Sequence, residues 1–218
     1  MKNQDDAQIY EPPRKIIEQL KKLISLREHL VTTRAMLLRN NKELKGFEPE
    51  PSKIHTKFCK STVKGLEIDL KNIEKELDKI IKSDENLSNV YEKSTSVTGV
   101  SKVTAISLIC YTNEFKMNET PRQLACYCGV VPFEYTSGKS VRAKPRVHYM
   151  ANKKLKKQLH MCAISSIRAK GDLKDYFERK VAEGKNKMLV INNVRNKLIH
   201  RICACIRNNK NYEPRLAS

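Results

Sequence analysis

Apolar positions in residues 12–82 recur with helical spacing. Pro12 and Pro13 suit a first helical turn. After them, adjacent apolar pairs return every seven residues, as Ile16/Ile17, Leu23/Ile24, Leu30/Val31 and Leu37/Leu38. Gly46, Pro49 and Pro51 are expected to end this helix. Beyond Ser52 the series Cys59, Val63, Leu66, Leu70, Ile73, Leu77, Ile80 alternates steps of four and three, the mark of a coiled-coil seam. Two helices of about thirty residues, each roughly 45 Å long, are predicted. A short loop between them makes the pair antiparallel. The paired stripe on the first helix is wider than one partner helix needs, so a second chain is expected to cover the rest. Arg27, Arg34 and Asn41 recur on the rung between the pairs and are expected to be solvated or salt-bridged.

The second half changes character. Two short amphipathic segments flank Ser96-Val97-Thr98-Gly99-Val100-Ser101-Lys102-Val103-Thr104-Ala105, and the run from Thr104 to Ile109 continues as a helix. This pattern looks like a helix-hairpin-helix, whose turn amides and helix N-terminus face phosphate. Ser101 stands where the second glycine of such a hairpin would be, so an ordinary helical turn is the competing reading. Thr120-Pro121-Arg122-Gln123 predicts a helix start with a capping box, and Gly129 its end. Residues 130–139 are not helical in period and lead into a basic run. Further helices are predicted over about 150–170 and 172–183, meeting at Gly171, and over about 186–208 with an apolar face of Leu189, Val194, Leu198, Ile202 and Ile206. The fold class is therefore mainly α: a long antiparallel helical hairpin followed by a small helical domain with a helix-hairpin-helix and a short irregular or β segment.

Charge sharpens the division. The 218 residues carry a formal net charge of +19. Residues 1–93 hold 19 Lys and Arg against 16 Asp and Glu, whereas residues 94–218 hold 24 against 8. From Tyr135 to Lys170 there are ten basic residues and no acid. A solvated helix face mixes both signs, so this stretch reads as a nucleic-acid contact surface. No apolar run approaches the roughly 20 residues that span a bilayer, and a signal-peptide core is absent, which excludes membrane and secreted classes. The seven cysteines are odd in number and lack disulfide-framework spacing. Their apolar surroundings predict buried thiols of an intracellular protein, with no structural metal.

Chemistry is sparse. The eight acids after Lys93 show no metal-binding spacing, and the five histidines form no HExxH pattern. Ser137, in a Ser-Gly turn followed by Lys139 and Arg142, is the one candidate nucleophile. By itself a serine before glycine is usually a turn residue.

Taken together, SVTGVSKVTAISLI, TPRQLACYCGVVPFEYTSGKSVRAKPRV, MANKKLKKQL, YFERKVAEGK and NVRNKLIHRI resemble the C-terminal transposase domain of the IS-one-ten family. These are DEDD-type, RNA-guided insertion-sequence transposases. The resemblance covers about 95–212, and IYEPPRKIIEQLKKLISLREHLVTTR is similar to that family's linker coiled coil. It implies DNA binding and DNA transposition, with a serine attacking a DNA phosphate and a RuvC-like domain holding four acids and Mg²⁺. Ser137 falls on that serine, activated by metal-bound phosphate and nearby carboxylates. Nucleic-acid contacts are expected from Gly99, Ser101, Lys102, Lys139, Arg142, Lys144, Arg146, Lys153 and Lys154. The family's PGVG is TGVS here, and Ala151 precedes Asn152 where the family has Gly-Asn. Asp5-Asp6-Ala7 is a faint counterpart of the last acidic motif, and the four acids are expected to be missing.

The expected organisation is a disordered N-terminus (1–11), a coiled-coil hairpin (12–84), a C-terminal transposase domain (85–212) and a tail (213–218). The reading is a truncated transposase, inactive by itself, with no cofactor of its own and Mg²⁺ only in the missing RuvC-like domain. Its expected partners are DNA, an element-encoded guide RNA, and a second copy or a full-length transposase, in the bacterial cytoplasm at the nucleoid and not at a membrane. The alternatives are a non-catalytic module that docks DNA or guide RNA, and a bare oligomerisation protein.

Overall fold

The computed structural model describes residues 12–47, 49–116, 120–137 and 141–214. These residues form eight helices and one two-stranded sheet. In chain order they are α1 (Lys15–Phe47), α2 (Pro49–Lys82), α3 (Glu85–Ser96), α4 (Lys102–Tyr111), α5 (Pro121–Tyr127), β1 (Phe133–Ser137), β2 (Val141–Arg146), α6 (Lys153–Arg168), α7 (Asp172–Ala182) and α8 (Lys187–Arg207). The protein is mainly α, as the periodicity predicts. It divides into two compact units, Met1–Ile73 and Glu74–Ser218, with the division inside α2. No helix among the described residues is long and apolar enough to cross a membrane.

In the first unit, the expected breakers do not open a loop. Helix α1 runs through Gly46 to Phe47, and α2 begins at Pro49. Pro49 and Pro51 both fall in the first turn of α2, where a missing N–H breaks no intrahelical hydrogen bond. A glycine in the last turn of α1 costs at most about 1 kcal/mol. Arg34 of α1 donates from Nε (3.0 Å) and Nη2 (2.6 Å) to Oε1 of Glu67 in α2. These residues lie about 20 and 27 Å along their helices from the 47–49 junction, so the contact requires α2 to fold back along α1. The rung carrying Arg34 is thus salt-bridged there. Ile17, Leu20 and Ile24 of α1 are buried, while Val31 and Leu38 of the same paired series are exposed.

The second unit is organised around α8. Helices α3, α5, α6 and α7 all pack on it, and α4 packs on α3 and α6. The row Val190, Val194, Leu198, Ile202 is buried at four-residue spacing, and Cys205 extends it. The predicted face is corrected at both ends. Leu189 is 54% exposed, and Ile206 is only partly buried. The physical reason is registry: Val190 shares the Val194 row, which meets the core, whereas Leu189 lies about 100° round the helix. Similarly, at the end of α2, Ile81 is buried and Ile80 half-buried.

Helix termini follow their sequence signals. Thr120 and Gln123 form the reciprocal capping box of α5, with Gln123 N–H donating to the Thr120 hydroxyl and Thr120 N–H to Gln123 Oε1. Residues 97–101 join α3 to α4 through Gly99 at φ +91°. A Cβ on Gly99 would lie 2.1 Å from Ser166 Oγ and 2.8 Å from the Cys162 carbonyl oxygen of α6. Ser166 Oγ in turn donates toward the Thr98 and Cys162 carbonyls, each at 2.8 Å. The turn is pressed onto α6 by the absence of a side chain. Gly99→Ala is expected to cost about 2–4 kcal/mol, from left-handed backbone strain plus overpacking. A lower urea midpoint at unchanged slope would show it, and an unchanged midpoint would refute this packing role.

Candidate nucleic-acid interface

The acid-free run takes in β1 from Tyr135 onward, all of β2 and all of α6. The strands pair antiparallel, with Phe133 opposite Arg146, Tyr135 opposite Ala143, Thr136 opposite Arg142 and Ser137 opposite Val141. The register shifts between Phe133 and Tyr135, so β2 holds one extra residue, in the stretch Lys144-Pro145. Proline has no N–H for a ladder and is at home in such a bulge. Ser137 is therefore the last paired residue before the hairpin tip, and Arg142 is one pair further in. Lys139 lies outside the described residues.

A polar lock sets the start of α6. The Asn152 side chain caps the helix, accepting from Lys154 N–H and Leu155 N–H, both at 3.1 Å. Its backbone N–H donates to the Tyr127 carbonyl at 2.8 Å and its side-chain amide to the Tyr127 hydroxyl at 3.3 Å, tying α6 to the end of α5. Gly129, at φ +66°, completes the lock, since a Cβ there would lie 3.0 Å from Ala151 Cβ and 3.1 Å from Val147 Cγ1. The loop 147–151 thus comes down onto a glycine.

Helix α6 then opens with Lys153, Lys154, Lys156 and Lys157 and has no acid in its first turn. The helix macrodipole disfavours cations at this end and favours anions. Lys153 and Lys154 are exposed, as is Arg146 at the end of β2. These groups lie along one continuous stretch of chain. The remaining expected contacts stand apart from it: Ser101 caps α4 by accepting from Thr104 N–H at 3.2 Å, Gly99 faces α6, and Lys102 Nζ lies 3.6 Å from Asp78 Oδ2.

Arg195 has a different standing, and the sequence pattern did not single it out. It sits on the buried side of α8 at 7% exposure, and its Nε has no hydrogen-bond partner. His160 of α6 also has a buried, unpartnered Nδ1. Burial, and then the charge of Arg195, hold the His160 pKa below its ordinary value. Burial likewise lowers that of Arg195. The available sequence signal was an arginine between Val194 and Leu198 on an apolar helix face.

The cysteines are free thiols, four of them buried. Burial pushes Cys128 up to about 12 and Cys203 up to about 11, so neither is a nucleophile near neutral pH. Among the described residues, no group of three or more His, Cys, Asp or Glu stands together as a metal-ion site.

Residues 92–178 match the family model described as Transposase IS116/IS110/IS902 family. Over these residues the chain is similar to that transposase family. The match takes in the end of α3, all of α4 to α6 with the β hairpin, and most of α7. It stops before α8, so Arg195 lies outside it. No curated protein matches the chain.

Among the described residues Arg195 has no ion-pair partner, which leaves its desolvation uncompensated. Arg195→Met is expected to raise stability by about 1 kcal/mol. It should also bring the His160 midpoint up toward 6.5 without reaching it, because burial remains the larger cause. The sign follows from the depressed folded value. The His160 contribution to stability is full above pH 6.5 and is lost as pH falls through the folded pKa. A histidine titration followed by NMR in both proteins checks this, and a His160 midpoint at or above 6.5 in the unmutated chain would overturn it.

Proposed function

We propose that this chain binds DNA through its phosphates and acts in DNA transposition, with Ser137 as the nucleophile toward a DNA phosphate. The observation that carries the reading is the first turn of α6. A helix start crowded with lysines and lacking any acid is electrostatically unfavourable by itself, and a phosphate backbone relieves it. Exposed Arg146 extends the same cationic track from β2, the strand that also holds Arg142 and Lys144, and Lys139 is proposed as a further contact. Gly99, Ser101 and Lys102 form a second contact around the start of α4. The family match supports the recombination chemistry and DNA as its object.

The position of Ser137 supports its role. A nucleophile on the last ladder pair before a tip is held by strand hydrogen bonds, yet placed at the end of the element. A serine hydroxyl needs activation at neutral pH, and Mg²⁺ held by a RuvC-like carboxylate set would supply it in the working assembly. The same cationic track would also take an element-encoded guide RNA, whose backbone presents the same charge.

Binding of a random-sequence duplex should weaken linearly in log affinity against log salt, with a slope of about −0.9 per phosphate contacted. Lys153→Ala with Lys154→Ala should shrink that slope by about one unit per lost contact. Ser137→Ala should leave the binding unchanged while removing the covalent protein–DNA product formed on the element's own ends in the complete transposition reaction. A slope near zero would overturn the DNA reading, and a persisting adduct would overturn the nucleophile.

A second reading, an oligomerisation role for α1 and α2, rests on a separate observation. Ile54, Phe58 and Ile68 are exposed and lie within about 40° of one line along α2. A second copy of the chain would cover such a stripe. Sedimentation should show a dimer or higher species, and Phe58→Asp with Ile68→Asp should dissociate it. A monomer at high concentration in the unmutated chain would exclude this role.

A further inference from the structure

The chain displays a group of aromatic rings where the basic run passes from β2 into α6. Phe133, which is paired with Arg146, is 48% exposed, Tyr149 is 81% exposed and Met150 is 71% exposed. Scattered exposed apolar residues are ordinary; here Phe133 and Tyr149 both meet the His148 ring. The Phe133 and His148 rings meet edge to face, with centroids 6.2 Å apart and planes at 76°. The His148 and Tyr149 rings lie 4.6 Å apart at a tilt of 32°. His148 is pinned from below, because its Nδ1 accepts the Met150 N–H at 3.3 Å and its carbonyl accepts the Ala151 N–H at 3.1 Å. The loop beneath is seated on Gly129 and locked through Asn152 and Tyr127. A rigid loop therefore presents a ring face outward.

Charge selects the occupant. Arg146 lies on one side of the rings in sequence and Lys153 and Lys154 on the other, all exposed, within a run that has no acid from Tyr135 to Lys170. A protein partner docking on aromatic anchors would need a core depleted of charge around them. Exposed aromatic rings interleaved with cations are instead the composition of a surface that stacks bases and tracks phosphates. In a duplex both faces of an internal base are already stacked, so only an unpaired base has a face to offer.

We propose that Tyr149, with His148 and Phe133 behind it, is a stacking platform for an unpaired base of a nucleic-acid strand whose phosphates lie along Arg146, Lys153 and Lys154. The inference rests on the nucleic-acid reading above and deepens it. It assigns to this surface a preference for unpaired nucleotides, independent of sequence, since every base has a π-face. The platform lies one loop away from the hairpin that carries Ser137, so a strand held there would be unstacked close to the proposed nucleophile in the chain.

The test uses the full chain and two single strands of equal length, an oligothymidylate and a strand made wholly of abasic sites, which keeps the phosphates and removes the rings. The unmutated chain should bind the base-bearing strand about tenfold more tightly, with the same salt slope for both. Tyr149→Ala should erase that difference and leave the abasic affinity unchanged, and Tyr149→Phe should retain the difference. Tyr149 is so exposed that neither change threatens folding. Equal affinity of the unmutated chain for both strands overturns the platform. So does a Tyr149→Ala protein that loses affinity for both strands alike, or one that changes only self-association. Salt-dependent binding without base preference leaves the phosphate reading standing and removes this one, whereas no salt-dependent binding to either strand removes both.

Discussion

Burial of α8 is the constraint on which the second unit depends. A chain half with 24 basic and 8 acidic residues has few apolar positions to spare, and charge repulsion works against compaction. The row Val190, Val194, Leu198, Ile202 gives α3, α5, α6 and α7 a common surface to pack on. Lys153, Lys154 and Lys157 of α6 stay exposed outside that core. The cationic track is thus a by-product of a core that had to be assembled from a small number of aliphatic residues around one helix.

The loops are placed by two close approaches and one polar lock. Gly99 allows the 97–101 turn to lie against α6, and Gly129 allows the 147–151 loop to lie against the end of α5. Asn152 joins the second of these by capping α6 while bonding Tyr127 at both its carbonyl and its hydroxyl. In the pair Ala151-Asn152 it is Asn152 that forms the lock. Because the lock fixes the N-terminus of α6, it also fixes the lysines there and the rings just before it. Backbone packing and the electrostatic surface are in this way a single arrangement.

Arg195 and His160 show the opposite tendency. A buried arginine with an orphaned Nε, beside a histidine with an orphaned Nδ1, lowers stability. Local departures of this kind collect at functional positions more often than elsewhere. The two residues lie on α6 and α8, which pack against each other.

Much was legible in the sequence because its signals are local. Thr120 and Gln123 specify a capping box within four residues, Asn152 and Asn186 cap the helices that follow them, and the Pro and Gly punctuation of 120–129 and 171–187 falls at helix ends. Charge asymmetry, the acid-free run and the ordered motifs that match a transposase family were likewise present in the residues alone. What only the tertiary structure decided is non-local. The buried side of α8 runs through Val190 and not Leu189, a shift of one residue that depends on where neighbouring helices lie. Gly46, Pro49 and Pro51 permit two nearly abutting helices, because proline breaks a helix only beyond its first turn. Gly99 meets Ser166 across 67 residues, and Phe133 meets His148 across the hairpin. Such contacts join positions whose spacing carries no periodic signal, so only folding brings them together.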